Sequence, residues 1–204
     1  GAWAVLLARY GAGDDVVFGG IVSGRPATLP GVEAMVGMFT NTVPVRIKLA
    51  QNARLLTWLQ TLQQQQLDRE QYAHCSLMDI QGWSDVPRGS PLFASIFAYE
   101  NYPLQADWES LGLIKAMNAV ERVPYPLSFV AMLRGVMELH VHFDATRFAP
   151  VLITRLLGHL QTLLAGMVVD TDTRVQDLPL LTAAEQQDVL ENLTATARAF
   201  PPAG

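Results

Sequence analysis

Four polar side chains beside two apolar runs carry the groups in this sequence that could hold a ligand. Ser23 and Arg25 come directly after one β-branched run, and Asn41 and Arg46 lie just before and within the next. A hydroxyl, an amide and two guanidinium groups can donate hydrogen bonds, but none is a base near neutral pH. The set predicts a site that binds and positions a ligand and leaves proton transfer to another group.

Two pairs of neighbouring residues could suggest other chemistry. His140 and His142 fall on one face of a predicted strand, as in some metal sites, but the sequence supplies no further ligand spaced with them. His74 and Cys75 are adjacent, whereas a catalytic thiol needs a base that reaches it across space. We therefore expect neither a metal site nor a thiol nucleophile, and we interpret these residues as exposed strand and ordinary loop.

Several other classes of function are excluded by pattern and charge. Ser23 does not lie in a nucleophile elbow, and the sequence has no phosphate-loop or dinucleotide-binding fingerprint. A formal net charge of −5 leaves no basic stripe for a phosphate backbone, so we expect no nucleic-acid partner.

Length and composition indicate one domain or one large lobe. The chain has 204 residues, 50% of them hydrophobic, which fits either two buried sheet faces or an apolar face that meets another unit. The single cysteine, Cys75, excludes an internal disulfide and fits a reducing compartment. No apolar run approaches the ~20 residues of a membrane span, so we expect a cytoplasmic protein without a membrane partner.

Two strands must position the four polar side chains. Val16–Val22 predicts a buried strand, and Gly19 and Gly20 within it predict close approach by another backbone or a ligand. Val43–Leu49 alternates apolar and polar residues, which predicts a half-buried strand. Further strands are predicted at Leu92–Tyr99, Ile114–Val123, Pro126–Leu133 and Val136–Asp144.

Apolar residues at helical spacing predict the helices. A short helix over Val32–Met38 should turn Val36 and Met38 inward. A capping box at Thr182 predicts the start of a last short helix. The longer helices are expected at Ala2–Tyr10, which looks like the middle of a helix that begins upstream, and at Ala53–Gln71 and Ala145–Met167.

The motifs around the four polar residues resemble the condensation domain of nonribosomal peptide synthetases. The chain has Asp-Val-Val-Phe-Gly-Gly-Ile-Val-Ser-Gly-Arg-Pro at 15–26 and Met-Val-Gly-Met-Phe-Thr-Asn-Thr-Val-Pro-Val-Arg at 35–46. The resemblance continues through Ser90–Phe93, Tyr99–Pro103 and Leu178–Thr182, so it covers almost the whole chain. It corresponds to the C-terminal half of the family's domain. The signature His-His-x-x-x-Asp-Gly belongs to the other half, and this sequence contains no such string.

The resemblance implies a fold and a division of the chain. The fold is α/β of the α+β type: a mixed β-sheet with packed helices, the C-terminal lobe of a chloramphenicol acetyltransferase-like fold. Residues 1–176 would form this lobe, and residues 177–204 would be a linker toward a following adenylation domain. The two lobes of the family's domain meet in a V.

The resemblance also implies an activity and its partners. Peptidyl carrier proteins, donor and acceptor, would deliver thioesters on phosphopantetheine arms into a tunnel between the lobes, where an amide bond forms in the biosynthesis of a peptide antibiotic. No cofactor would bind this chain directly. Its other partners would be the N-terminal lobe and the adenylation domain. Because the catalytic histidine motif lies in that other lobe, we expect the chain alone to be inactive.

Carried over to matching positions, the resemblance implies substrate-binding roles. Ser23 and Arg25 match the Ser-Gly-Arg strand end near the tunnel, and Asn41 and Arg46 match the family's Phe-x-Asn-Thr-x-x-x-Arg motif. Two interpretations stay open for the arginines: they shape the tunnel, or they tie strand ends together through backbone carbonyls or a carboxylate such as Asp14 or Asp15.

Two other functions remain as alternatives. One is a non-catalytic lobe that docks a carrier protein. The other, a complete acyltransferase of the same superfamily, requires a His-x-x-x-Asp motif that the sequence lacks.

Overall fold

The computed structural model of the chain describes residues 1–11, 13–26, 29–87, 89–100 and 124–193. Within these ranges five strands form one sheet: β1 Asp15–Val22, β2 Asn41–Lys48, β3 Ser95–Glu100, β4 Leu127–Arg134 and β5 Val136–Phe143. The same ranges hold five α-helices: α1 Ala2–Gly11, α2 Leu55–Glu70, α3 Leu77–Gly82, α4 Pro150–Val169 and α5 Ala183–Asp188. The strand expected at Ile114–Val123 and the end of the expected linker, residues 194–204, lie outside the described residues.

The sheet is mixed, as the fold class requires. Its strand order is β2-β1-β3-β4-β5, with β2 antiparallel to β1 and β5 antiparallel to β4. The central pairs β1–β3 and β3–β4 are parallel. The β1–β3 pairing joins only Gly19 to Ile96 and Gly20 to Phe97 in register. The sheet therefore consists of two well-paired parts connected by a short seam.

The main core lies between one face of this sheet and the helices. The alternation predicted for the second strand is confirmed, because Val43, Val45 and Ile47 are buried on this face while Arg46 is exposed. Trp3 of α1 stacks on Phe129 of β4 with ring centroids 5.0 Å apart. Burial of this apolar face is the principal stabilising contribution, at about 25 cal/mol per Å².

The other sheet face carries a smaller apolar cluster. Ala98, Val130 and Met132 are buried there, with Ile21 packed against them. The atoms nearest to the two glycines of β1 belong to side chains. A Cβ at Gly19 would lie 2.4 Å from the Phe93 ring, and one at Gly20 would lie 2.7 Å from Val45.

The helix predicted over Val32–Met38 is wrong. The structure has a three-residue 3-10 turn, Val32–Ala34, and extended backbone at Met35. Val36 and Met38, expected to face inward, are 102% and 99% exposed. The physical reason is a side-chain contact from outside the segment. Arg25 donates hydrogen bonds to the carbonyls of Val32 and Met35, which are then not available to a helix, as described below.

Helix α4 has, within the described residues, the length and hydropathy that could cross a membrane, contrary to the expectation from sequence. A core helix passes the same test, and Leu156, Leu160 and Leu163 of α4 are buried in the main core. The helical spacing also predicts that Val151 is buried, but it is 72% exposed, and His159 is buried instead.

Candidate functional site

The end of β1 is shaped by a backbone that only glycine adopts easily. Gly24 has φ +63°, and a Cβ there would lie 1.8 Å from the carbonyl oxygen of Phe39. This close approach brings the segment before β2 against the end of β1. Ser23 lies next to it with an exposed side chain, and its Oγ accepts a bond of 3.4 Å from the amide of Arg25.

Arg25 fastens the segment between the two strands. Its guanidinium donates to the carbonyl of Val32 and, at 2.9 Å, to that of Met35. Its Cζ also lies 4.1 Å from the centre of the Phe39 ring, a cation–π distance. These contacts favour the interpretation that Arg25 ties strand ends together through backbone carbonyls.

Asn41 connects the start of β2 to the turn between α2 and α3. Its Nδ2 donates to the carbonyls of Ala73 and Cys75, both at 2.8 Å. Its Oδ1 accepts from the amide of Thr42 at 2.9 Å. The whole side-chain amide is therefore engaged within the protein, and Asn41 fixes the start of β2 to the α2–α3 turn.

Arg46 forms an ion pair on the sheet face opposite the helices. Its Nε and Nη2 donate to the two carboxylate oxygens of Asp15 at 2.9 and 2.6 Å. The hydrogen bond from Arg46 lowers the pKa of Asp15 below its ordinary value. Both side chains are exposed, so solvent screens the pair and its contribution to stability is small.

The structure brings three of the four predicted residues together. Val22 pairs with Asn41, so Ser23 and Arg25 lie at the same end of the β1–β2 ribbon as Asn41. Arg46 instead pairs with Val17, five residues further along β2, which places it roughly 16 Å away at strand spacing. The predicted group is thus a cluster at one strand end plus a separate ion pair.

A cavity of about 440 Å³ lies on the helical side of the sheet. Apolar and aromatic residues of α1, α4 and the strands line most of it, including Phe18, Phe97 and Phe129. Arg69 and Glu70 of α2 supply charged groups. None of the four predicted residues lines this cavity, although Val22 and Val43 beside them do.

The remaining candidate groups make ordinary contacts. His140 lies 3.2 Å from a carboxylate oxygen of Glu138 on the exposed side of β5. The Sγ of Cys75 is 3.9 Å from Nε2 of His74. Among the described residues, no group of three or more His, Cys, Asp or Glu side chains is placed to hold a metal ion.

A polar cluster around one buried histidine of α4 was not predicted from the sequence. His159 of α4 contacts Tyr10 of α1 and Glu185 of α5, and its side chain is 3% exposed. The sequence predicted the capping box that contains Glu185 but not its tertiary contact. The available signal was a histidine within the apolar stripe of α4, because a buried imidazole requires a hydrogen-bonding partner.

Comparison with known proteins is consistent with the fold and the motifs. The family model "Condensation domain" matches residues 1–190. One of the linear gramicidin synthase proteins of Brevibacillus parabrevis is 44% identical over 203 residues, which are 98% of this chain and 4% of that protein.

Solved structures share the fold at lower identity. A crystal structure of holo-AB3403, a four-domain nonribosomal peptide synthetase bound to AMP and glycine, matches 91% of this chain and 15% of its own with a TM-score of 0.75 and 15% identity. The crystal structure of a CT mutant matches 87% of this chain and 42% of its own with a TM-score of 0.75 and 21% identity.

A mixed sheet covered by helices, with both strand-end motifs in place, defines a chloramphenicol acetyltransferase-like fold. This chain belongs to the condensation-domain family. It spans a small part of the synthetase it resembles, 4% of the linear gramicidin relative.

Proposed function

We propose that this chain forms one wall of the channel in which a condensation domain of a nonribosomal peptide synthetase makes an amide bond. The family match over residues 1–190, which spans both strand-end motifs, is the observation that carries this proposal. The substrates would be two thioesters, each held on the phosphopantetheine arm of a peptidyl carrier protein.

The reaction requires this lobe only to position the reactants. The α-amine of the acceptor attacks the thioester carbonyl of the donor, the C–N bond forms, and the C–S bond breaks to release the donor arm as a thiol. The amine loses a proton in the process. Thioester aminolysis is downhill, so alignment of the reactants, a proton acceptor and exclusion of water suffice.

The contacts at the end of β1 suggest distinct roles for the four residues. Ser23 has an exposed hydroxyl, which makes it the group suited to touch an amide or pantetheine oxygen. Arg25 and Asn41 donate hydrogen bonds to backbone carbonyls of this chain, so their proposed role is to shape the channel wall beside Ser23. Arg46, paired with Asp15, would support the strand from the other face.

The proton acceptor would come from the N-terminal lobe of the same domain. The sequence lacks His-His-x-x-x-Asp-Gly, and the groups at the end of β1 are hydrogen-bond donors rather than bases. A following adenylation domain and a cytoplasmic location complete the proposal, since both fit the synthetase context of the linear gramicidin relative.

A condensation assay with loaded donor and acceptor carrier proteins tests the proposal. We expect the complete domain containing this lobe to form product, and the 204-residue chain alone to form none above the uncatalysed rate. In the complete domain, Ser23→Ala should lower turnover while leaving the unfolding midpoint unchanged. Turnover by the chain alone at a rate near that of the complete domain would contradict the proposal.

A carrier-docking lobe without a catalytic role is the competing function. Full exposure of Val36 and Met38 favours it, because exposed apolar side chains often mark protein contacts. Titration with carrier protein, with and without its pantetheine arm, separates the two. Binding that does not depend on the arm, together with unchanged product formation by the Ser23→Ala domain, would support docking alone.

A further inference from the structure

Helix α4 carries one buried imidazole that links three helices. His159 Nδ1 lies 2.8 Å from the hydroxyl of Tyr10 on α1, and Nε2 lies 2.8 Å from a carboxylate oxygen of Glu185 on α5. A neutral imidazole protonated at Nε2 satisfies both contacts, because it accepts from the phenol and donates to the carboxylate. The three residues are far apart in sequence, so their contact joins the two ends of the described chain.

Glu185 is the centre of this cluster. One oxygen accepts from Nε of Arg155 at 2.6 Å, and the other accepts from the amide and hydroxyl of Thr182, both at 2.9 Å, as well as from His159. The backbone hydrogen bond from Thr182 is the largest cause that lowers the pKa of Glu185 to about 2. The carboxylate is therefore ionised and fully occupied near neutral pH.

The chain between α4 and α5 is packed into the lobe rather than free. Val175 is fully buried and Leu178 is 3% exposed, and both belong to the main core. The amide of Val175 donates to the carbonyl of Ala53 at 3.1 Å, and the amide of Leu55 donates to the carbonyl of Thr173 at 2.8 Å. These contacts bind the segment to the start of α2.

Two glycines on α4 make room for the segment that follows. A Cβ at Gly166 would lie 2.6 Å from Cγ of Pro179, and one at Gly158 would lie 3.3 Å from Cγ2 of Thr182. Any side chain at Gly166 would displace Pro179. The segment thus runs along α4 from Gly166 to Gly158 and reaches Glu185 beside His159.

We propose that Tyr10, His159, Arg155 and Glu185 form a clamp that holds α5 on α4 and fixes the direction in which the chain leaves the lobe. The segment from residue 177 to Asp188, expected to be linker, then acts as a rigid part of the lobe. The residues after α5 start from a fixed point, which sets the orientation of whatever they connect to. This inference does not depend on the proposed catalytic role.

Hydrogen exchange of the 204-residue chain tests the clamp. Glu185→Gln is the main variant, since a glutamine at this position can still complete the capping box but cannot pair as a carboxylate with Arg155 and His159. We expect the amides of α5 to exchange at least tenfold faster in Glu185→Gln. Tyr10→Phe, which leaves Glu185 and its cap intact, should give a smaller increase in the same amides.

The matched control is Glu191→Gln, a carboxylate that accepts from Gln187 within the same terminal segment. It should leave α5 exchange unchanged. Unchanged α5 exchange in Glu185→Gln would overturn the proposal. So would an equal increase in α5 and in the sheet, because that result would mean general destabilisation rather than release of a clamp.

A distance between two spin labels reports the position of α5 independently of the free energy of unfolding. Spin labels on Cys75 and on an Ala184→Cys substitution should show one narrow distance distribution. Glu185→Gln should broaden it under conditions in which the variant remains folded. A broad distribution in the parent protein, or the same narrow one in both, would contradict a clamp that fixes the exit of the chain.

Discussion

The end of β1 and the junction of α4 with α5 use similar side chains in different ways. At the end of β1, Arg25 and Asn41 bond backbone carbonyls of nearby loops, and Ser23 stays exposed. At the junction, His159 and Glu185 bond other side chains and join remote helices. The first region shapes a surface, whereas the second decides which parts of the chain move together.

The difference shows that the residues recognisable as a sequence motif need not be the ones that join distant parts of the chain. The strand-end motifs were readable because their polar residues interrupt apolar runs. The junction was not, since its four side chains lie on three helices that only the tertiary structure brings together.

The largest expected effect concerns Gly24, on which the shape of the first region depends. Gly24→Ala places a Cβ 1.8 Å from the carbonyl oxygen of Phe39 at φ +63°. We expect the free energy of unfolding, measured in urea, to fall by about 2–4 kcal/mol, of which the positive φ supplies about 1–2.

Gly31→Ala is the matched control, because Gly31 has φ +74° but no atom within 4 Å of its Cβ position. It should cost only the conformational part. Equal losses for the two variants would show that the contact with Phe39 does not shape the strand end.

A smaller effect is expected from Asn41, which joins the first region to the α2–α3 turn. Asn41→Ala removes two donors at 2.8 Å and leaves the carbonyls of Ala73 and Cys75 without them. The free energy of unfolding should fall by about 1–2 kcal/mol. Asn52→Ala, at an exposed turn, should change it by less than ~0.5 kcal/mol. A loss at Asn41 no greater than at Asn52 would mean that the turn is held by other contacts.

The smallest expected effect is a pH dependence at the second region, because the side chain of Glu185 is 24% exposed and solvent screens its charge. The pKa of Glu185 is lowered to about 2 from 4.5, so its carboxylate contributes stability that is present above pH 4.5 and lost as the pH falls toward 2. The difference in urea midpoint between the parent protein and Glu185→Gln should therefore be constant from pH 7 to 5. It should then shrink below pH 4.5. A difference that stays constant down to pH 2.5 would place the effect in packing rather than in the charge of the clamp.

Much of the fold followed from periodicity. The strand Val43–Leu49 was predicted because its alternation needs only local pattern, and the structure confirms it as β2 with Val43, Val45 and Ile47 buried. The helix predicted at Val32–Met38 failed because Arg25, which precedes the segment, bonds the carbonyls of Val32 and Met35. The buried leucines of α4 follow from periodicity, but the burial of His159 does not, because its partners lie on other helices.

The arrangement of the four candidate residues was not predictable from the sequence. Sequence named Ser23, Arg25, Asn41 and Arg46 as one group, but pairing of β1 with β2 separates Arg46 from the rest. Which donors remain free also depends on tertiary contacts: Ala73 and Cys75, more than 30 residues after Asn41, occupy its amide.

The short seam in the sheet has a consequence for how the protein folds. β1 and β2 form a local antiparallel ribbon, and β4 and β5 form another, but β1 meets β3 through two residue pairs more than 70 positions apart in sequence. Closing so large a loop is entropically costly and slow, whereas each ribbon can assemble from nearby chain. We therefore expect the two ribbons to acquire protection early in pulse-labelled refolding. The pairing of Gly19 and Gly20 with Ile96 and Phe97 should form last, when the halves of the sheet are joined.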